Sequence, residues 1–139
     1  MNLNNHSGGV ISLAVLQNGD LASGSTDSTL KIWNLEDGSV KMNMNNHSGG
    51  VWSLAVLQNG DLASGSDDST IKIWNSEDGN LKMTLNNHSG SVGSLAVLQN
   101  GDLASGSGDL TIKIWNLEDG IQILKFKRSL DDPLYDVQD

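Results

Sequence analysis

The chain has 139 residues and no cysteine, which excludes a disulfide framework and a thiolate metal site and suits a reducing compartment. With 37% apolar residues it can build at most one ordinary domain, and no apolar run is long enough for a signal segment or a membrane span. A formal charge of −9, with acids throughout and four more at Asp131, Asp132, Asp136 and Asp139, argues against binding through nucleic-acid phosphates. These features predict a soluble cytoplasmic protein, the nucleus remaining open, with no membrane partner.

In chain order, residues 1–9 read as the end of one strand followed by a loop, because Met1 to Leu3 align with the close of a later repeat. From there one unit recurs three times, its copies 41 residues apart, opened by His6, His47 and His88 and closed by Trp33, Trp74 and Trp115. A period of this size points to stacked supersecondary units. The copies occupy residues 10–46, 47–87 and 88–127.

Within a copy the periodicity is that of strands. VISLAVL (10–16) alternates, with Leu13 and Val15 on one face, Ser12 and Ala14 on the other, and both faces expected to be covered. LASGS (21–25) is built of small residues, as where sheets approach closely. TLKIW (29–33) alternates again, and Val40, Met42 and Met44 alternate with Lys41 and Asn43 as an outer strand would. Asn18-Gly19 and Asp37-Gly38, with their counterparts, predict hairpins, because both residues of each pair tolerate positive φ. The strands, a to d, then form an up-and-down sheet with His6 and Asp27 at the same end. Residues 128–139 leave the pattern as an acidic tail, expected to be a mobile terminus, in which Pro133-Leu134-Tyr135 is a candidate linear motif.

The histidine, glycine-bearing hairpin, SxSxD segment and KIW, in this order in three copies, resemble the WD-repeat β-propeller family over residues 1 to 127. Two departures stand out: Asn5, Asn46 and Asn87 replace the usual glycine before the histidine, and Asn34, Asn75 and Asn116 replace the aspartate after the tryptophan. An asparagine amide can serve as a local hydrogen-bonding group in a turn, although it lacks the charge. The resemblance implies an all-β fold of three four-stranded antiparallel blades, either a partial propeller or half of a six-bladed homodimeric ring. It also implies a structural hydrogen-bonded chain in each blade: His6, Ser23, Asp27 and Trp33; His47, Ser64, Asp68 and Trp74; His88, Ser105, Asp109 and Trp115. Ser25 and its equivalents are an alternative to Ser23. Propellers close with about four to eight blades, so three leave two open apolar faces. Leaving about 500 Å² of such a face wet forgoes about 12 kcal/mol. Self-association or further blades are therefore expected to close the ring.

A Ser-His-Asp nucleophilic triad is the sharp alternative, but the serine lies within a strand of small residues and not on an exposed turn beside a cleft. One histidine per copy does not build a metal site, and no cofactor is expected. The Asn5-His6-Ser7 sequon and its equivalents read as loop residues. Function is sought where the copies differ. Position 9 reads Gly9, Gly50 and Ser91, position 11 reads Ile11, Trp52 and Gly93, and position 26 reads Thr26, Asp67 and Gly108. These nine form a candidate partner-binding patch, with Trp52 as anchor and Asp67 at its rim. The resulting expectation is a protein-interaction scaffold without catalysis. An inactive fragment of a longer repeat protein and, less favoured, a propeller enzyme are the other readings, and strand a supplies no ionisable side chain for an enzyme.

Overall fold

A computed structural model describes residues 1–127 and 136–138. It is all-β, with no helix among these residues. β1 (Val10–Val15), β2 (Leu21–Ser25), β3 (Leu30–Trp33) and β4 (Val40–Met44) form the first blade. β5 (Val51–Val56), β6 (Leu62–Ser66), β7 (Ile71–Trp74) and β8 (Leu81–Leu85) form the second. β9 (Val92–Val97), β10 (Leu103–Ser107), β11 (Ile112–Asn116) and β12 (Ile121–Lys127) form the third. Each blade is an antiparallel meander in sequence order. β1 lies beside β5, and β5 beside β9, so the first strands of the blades gather together. The sheets do not close on themselves, and the chain forms part of a propeller.

Turn chemistry explains the meander. In the first hairpin Gly19 N donates to Leu16 O at 2.9 Å, and Gly19 has φ +91°. Asn18 is not in the left-handed region. The loop is therefore a turn closed by a left-handed glycine. Asn18 contributes through its side chain, whose Oδ1 accepts Asp20 N at 2.9 Å. In the third hairpin Asn34 Oδ1 accepts Glu36 N at 2.8 Å, and Asn75 and Asn116 repeat this contact at 2.8 Å. The asparagines thus make the local bond that the replaced aspartate would make.

A bulge changes the expected alternation in the first strand. Val10 pairs with Ser25 and Ser12 with Gly24, leaving Ile11 without an opposite residue, and the same shift skips Trp52 and Gly93. The extra residue returns Val51 to the face that carries Leu54 and Val56. Cores then form between blades. Leu16, Ala22, Leu30, Ile32 and Met44 pack against Val51, Leu62 and Trp74, and Leu57, Ala63, Ile71, Ile73 and Leu85 pack against Val92, Leu103 and Trp115. Each fully buried aliphatic side chain contributes about 1.5–3 kcal/mol. The small second strand permits this approach, because a Cβ on Gly24 would stand 2.7 Å from Val51 Cγ1. In β1, however, Leu13 and Val15 are exposed, contrary to the expectation that both faces are covered, since no blade lies against that side.

The tail also departs from expectation. β13 (Asp136–Gln138) pairs antiparallel with β12, Phe126 opposite Val137, and makes the third sheet five-stranded. β12 is an edge whose free backbone groups a further strand can satisfy. Pro133-Leu134-Tyr135 lies outside the described residues.

Candidate functional site

Each blade brings its four frame residues into one chain. The loop before the first strand carries the histidine, the second strand the serine, the following turn the aspartate and the third strand the tryptophan. His6 Nδ1 lies 2.9 Å from Asp27 Oδ2, His6 Nε2 lies 2.6 Å from Ser23 Oγ, and Trp33 Nε1 donates to Ser23 Oγ at 2.8 Å. His47, Asp68, Ser64 and Trp74 repeat this at 2.8, 2.7 and 2.8 Å, as do His88, Asp109, Ser105 and Trp115. Ser25 stands outside the chain, accepting Asp27 N at 3.1 Å. The other candidate serine is therefore a turn cap.

The direction of each bond follows from the groups. A carboxylate only accepts, so the histidine donates from Nδ1. The serine oxygen accepts the indole N–H and has its own proton left for Nε2. Burial pushes the His47 pKa down, against the bond and charge of Asp68 that raise it, so this ring is neutral and its Nε2 accepts. Burial works against ionisation of Asp68, but bonds from Thr70 and His47 prevail and hold its pKa at about 2. Asp27 is lowered likewise against its burial by Thr29 and His6, and Asp109 is lowered chiefly by Thr111, also against burial. The Ser-His-Asp connectivity is that of a triad, but Ser23, Ser64 and Ser105 are buried with the indole already on their oxygen. In each blade the hydrogen-bonded chain joins the histidine loop to the second and third strands.

The nine variable positions separate by exposure. Thr26 N donates to Gly9 O, Asp67 N to Gly50 O and Gly108 N to Ser91 O, each at 2.9 Å, so positions 9 and 26 are joined within every blade. Across blades Ser91 Oγ donates to Asp67 Oδ1 at 2.7 Å. Gly50 is buried, its Cβ position 3.3 Å from Thr26 Cα, which makes it a packing position and not a contact surface. Ile11 is half-buried. Ser91 is half-buried too, and the other six are exposed.

Five of the nine come together. Trp52, Asp67, Ser91, Gly93 and Gly108 line a concavity of about 650 Å³, joined by Leu110. Trp52 is 39% exposed although it lies within a strand, because its bulge turns it away from the packed face. A Cβ on Gly93 would meet nothing within 4 Å, so the space beside the indole is free. Leu110, at 95% exposed, was not among the sequence candidates. Its signal was present: Ser28 and Ser69 hold the equivalent turn position, and all three residues have φ of 72–74°. A leucine here combines a disfavoured backbone conformation with a wet apolar side chain. Among the described residues no cluster of three histidine or acidic side chains could hold a metal ion, and no helix is long and apolar enough to cross a membrane.

Comparison with known proteins agrees with this architecture. The sequence profile described as "WD domain, G-beta repeat" matches residues 1–34, 37–75 and 79–116. Among solved structures, the WD40 β-propeller domain of Doa1 is 32% identical, with a TM-score of 0.76 over 80% of this chain and 38% of that one. The structure of U3-55K is 25% identical, with a TM-score of 0.82 over 87% of this chain and 40% of that one. The WD40 repeats of RRP9 are 26% identical, with a TM-score of 0.82 over 87% and 39%. No curated protein matches. This chain spans about two fifths of the solved chains it resembles. Three matched repeats and three blades place it in the WD domain, G-beta repeat family.

Proposed function

We propose that the protein is an intracellular, non-catalytic interaction scaffold whose rigid blades present the concavity around Trp52 to a protein partner. The observation that carries this reading is the half-exposed indole, turned outward by a bulge and lining one concavity with the open Gly93 and with Leu110. Tryptophan in a concave, partly desolvated setting is the commonest kind of binding anchor. Asp67, held by Ser91, supplies a polar rim at fixed geometry. The net charge of −9 supports a protein partner over a nucleic acid. The first strands VISLAV, VWSLAV and VGSLAV carry no acid, base or nucleophile beyond one serine each, which supports a non-catalytic role.

Affinity capture with the whole chain tests this reading. Proteins retained by the unaltered chain should be lost, by about tenfold or more, with Trp52→Ala and with Leu110→Ser. Leu35→Ala, which alters an exposed leucine in the third hairpin at the opposite end, should retain them. Equal retention by all three variants would overturn the proposal, as would loss with Leu35→Ala alone.

A further inference from the structure

The two internal junctions between blades show how one blade face meets the next. At each junction a valine of one blade covers a glycine of the blade before it. Val51 Cγ1 lies 2.7 Å from the Cβ position of Gly24, and Val92 Cγ1 lies 2.7 Å from that of Gly65. A glutamine also crosses each junction. Gln17 Nε2 donates to Gln58 O at 3.1 Å, and Gln58 Nε2 donates to Gln99 O at 2.9 Å. The oxygen of each amide rests 2.9 Å from the Cβ position of the next turn glycine, Gly60 or Gly101.

At the ends the same residues stand without these partners. Gly106 meets only Ser94 Oγ of its own blade, and Gly19 meets nothing within 4 Å. Gln99 makes no side-chain hydrogen bond among the described residues. Val10 is 52% exposed where Val51 and Val92 are 0%, and Ile112 is 73% exposed where Leu30 and Ile71 are 0%. What one end lacks, the other end carries: Gly106 lacks a valine in the place of Val10, and Gly19 lacks a glutamine in the place of Gln99.

We propose that a second copy of this chain covers both faces, the third blade of each copy docking on the first blade of the other. Val10 of the second copy then covers Gly106, and Gln99 reaches the second copy's turn at Gly19. The result is a two-fold ring of six blades with no face left over. Six lies within the usual range of about four to eight, whereas three copies would give nine. Met1 and Leu3 must move for this to happen. They stand within 3.3 Å of the Gly38 Cβ position, as Met42 and Met44 stand near that of Gly79, the place where the fourth strand of a preceding blade lies at the internal junction.

Sedimentation equilibrium and native mass spectrometry of the whole chain test the proposal. The expected species has twice the 14.8 kDa chain mass. Ile112→Asp and Leu13→Asp, both altering exposed side chains on the two opposite faces, should each weaken the dimer about tenfold or more while leaving the β-sheet circular dichroism unchanged. Removing residues 2–4 should preserve or tighten the dimer. A monomer at about 100 µM, far above the Kd of a specific interface, would overturn the proposal. Open-ended assemblies of three or more copies, a dimer indifferent to both substitutions, or one lost on removal of residues 2–4 would do so too. Gly106 and Ile112 also line the concavity that holds Trp52, so Leu13→Asp, on the first blade and outside that concavity, is the variant that separates this proposal from the Trp52 reading.

Discussion

Replacing Ser64 by alanine removes the atom at which the middle blade's network joins its sheet. Ser64 Oγ accepts the Trp74 indole N–H at 2.8 Å and gives its proton to His47 Nε2, 2.7 Å away, and all three residues are buried. Alanine orphans both partners. Each unsatisfied buried group costs about 1–3 kcal/mol, so Ser64→Ala should destabilise by about 2–6 kcal/mol. Trp74→Phe removes the indole N–H together with part of the ring's packing. In the double variant only His47 Nε2 lacks a partner, so the two losses should fall short of additivity by about 1–2 kcal/mol. Urea unfolding of the four proteins of this cycle, followed by circular dichroism, measures that difference. Ser66→Ala serves as the comparison, since Ser66 Oγ donates to Gly49 O at 3.0 Å and accepts Asp68 N at 3.1 Å without joining the histidine. Strict additivity, or a Ser64→Ala loss below about 0.5 kcal/mol, would refute the shared-hydroxyl account.

Acid should destabilise the fold in two ranges. His47 has a pKa lowered from 6.5 by burial, so just below pH 6.5 the unfolded chain binds more protons than the native state and stability falls as pH falls. Asp68, lowered from 3.8 to about 2, contributes stability that is complete above 3.8 and is lost as pH drops toward 2. Melting temperature against pH should show both declines, and Asp68→Asn should lessen the more acidic one, to which Asp27 and Asp109 also contribute; a wild-type profile level from pH 3.8 to 2 would contradict the assignment. A second comparison isolates the junction glutamine. Gly19 and Gly60 share φ +91°, but only Gly60 faces a neighbour's Gln17 Oε1, at 2.9 Å. Both alanine variants should lose about 1 kcal/mol from backbone strain, with Gly60→Ala losing about 0.5–1 kcal/mol more, and equal urea midpoints would rule out the contact as a contributor.

The repeat and the strand order were legible because they depend on local periodicity and turn residues within one copy, whereas the membership of the His-Ser-Asp-Trp chain came from the resemblance to WD-repeat proteins. Distinguishing Ser23 from Ser25 needed coordinates. Both are small residues of one strand, and only their direction relative to the histidine ring separates them. The bulge at Ile11, Trp52 and Gly93 was equally hidden, since an extra residue in a strand shows only in the pairing of two strands. Leu110 was overlooked although its departure from Ser28 and Ser69 is visible in the sequence. Its weight comes from its left-handed backbone and its place beside Trp52, neither of which a residue type reports.

By itself, then, the sequence determined the blade: what a copy of 41 residues can pair, turn and hydrogen-bond within its own length. Tertiary structure decided what each copy does with it. Val10, Val51 and Val92 stand at one position of the repeat, yet the first is half exposed and the other two fully buried, because burial belongs to the neighbour and not to the residue. The same reason separates Gly106 from Gly24 and Gly65. A face becomes core only when another blade lies against it, so identical residues are structural inside the array and available for contact at its ends.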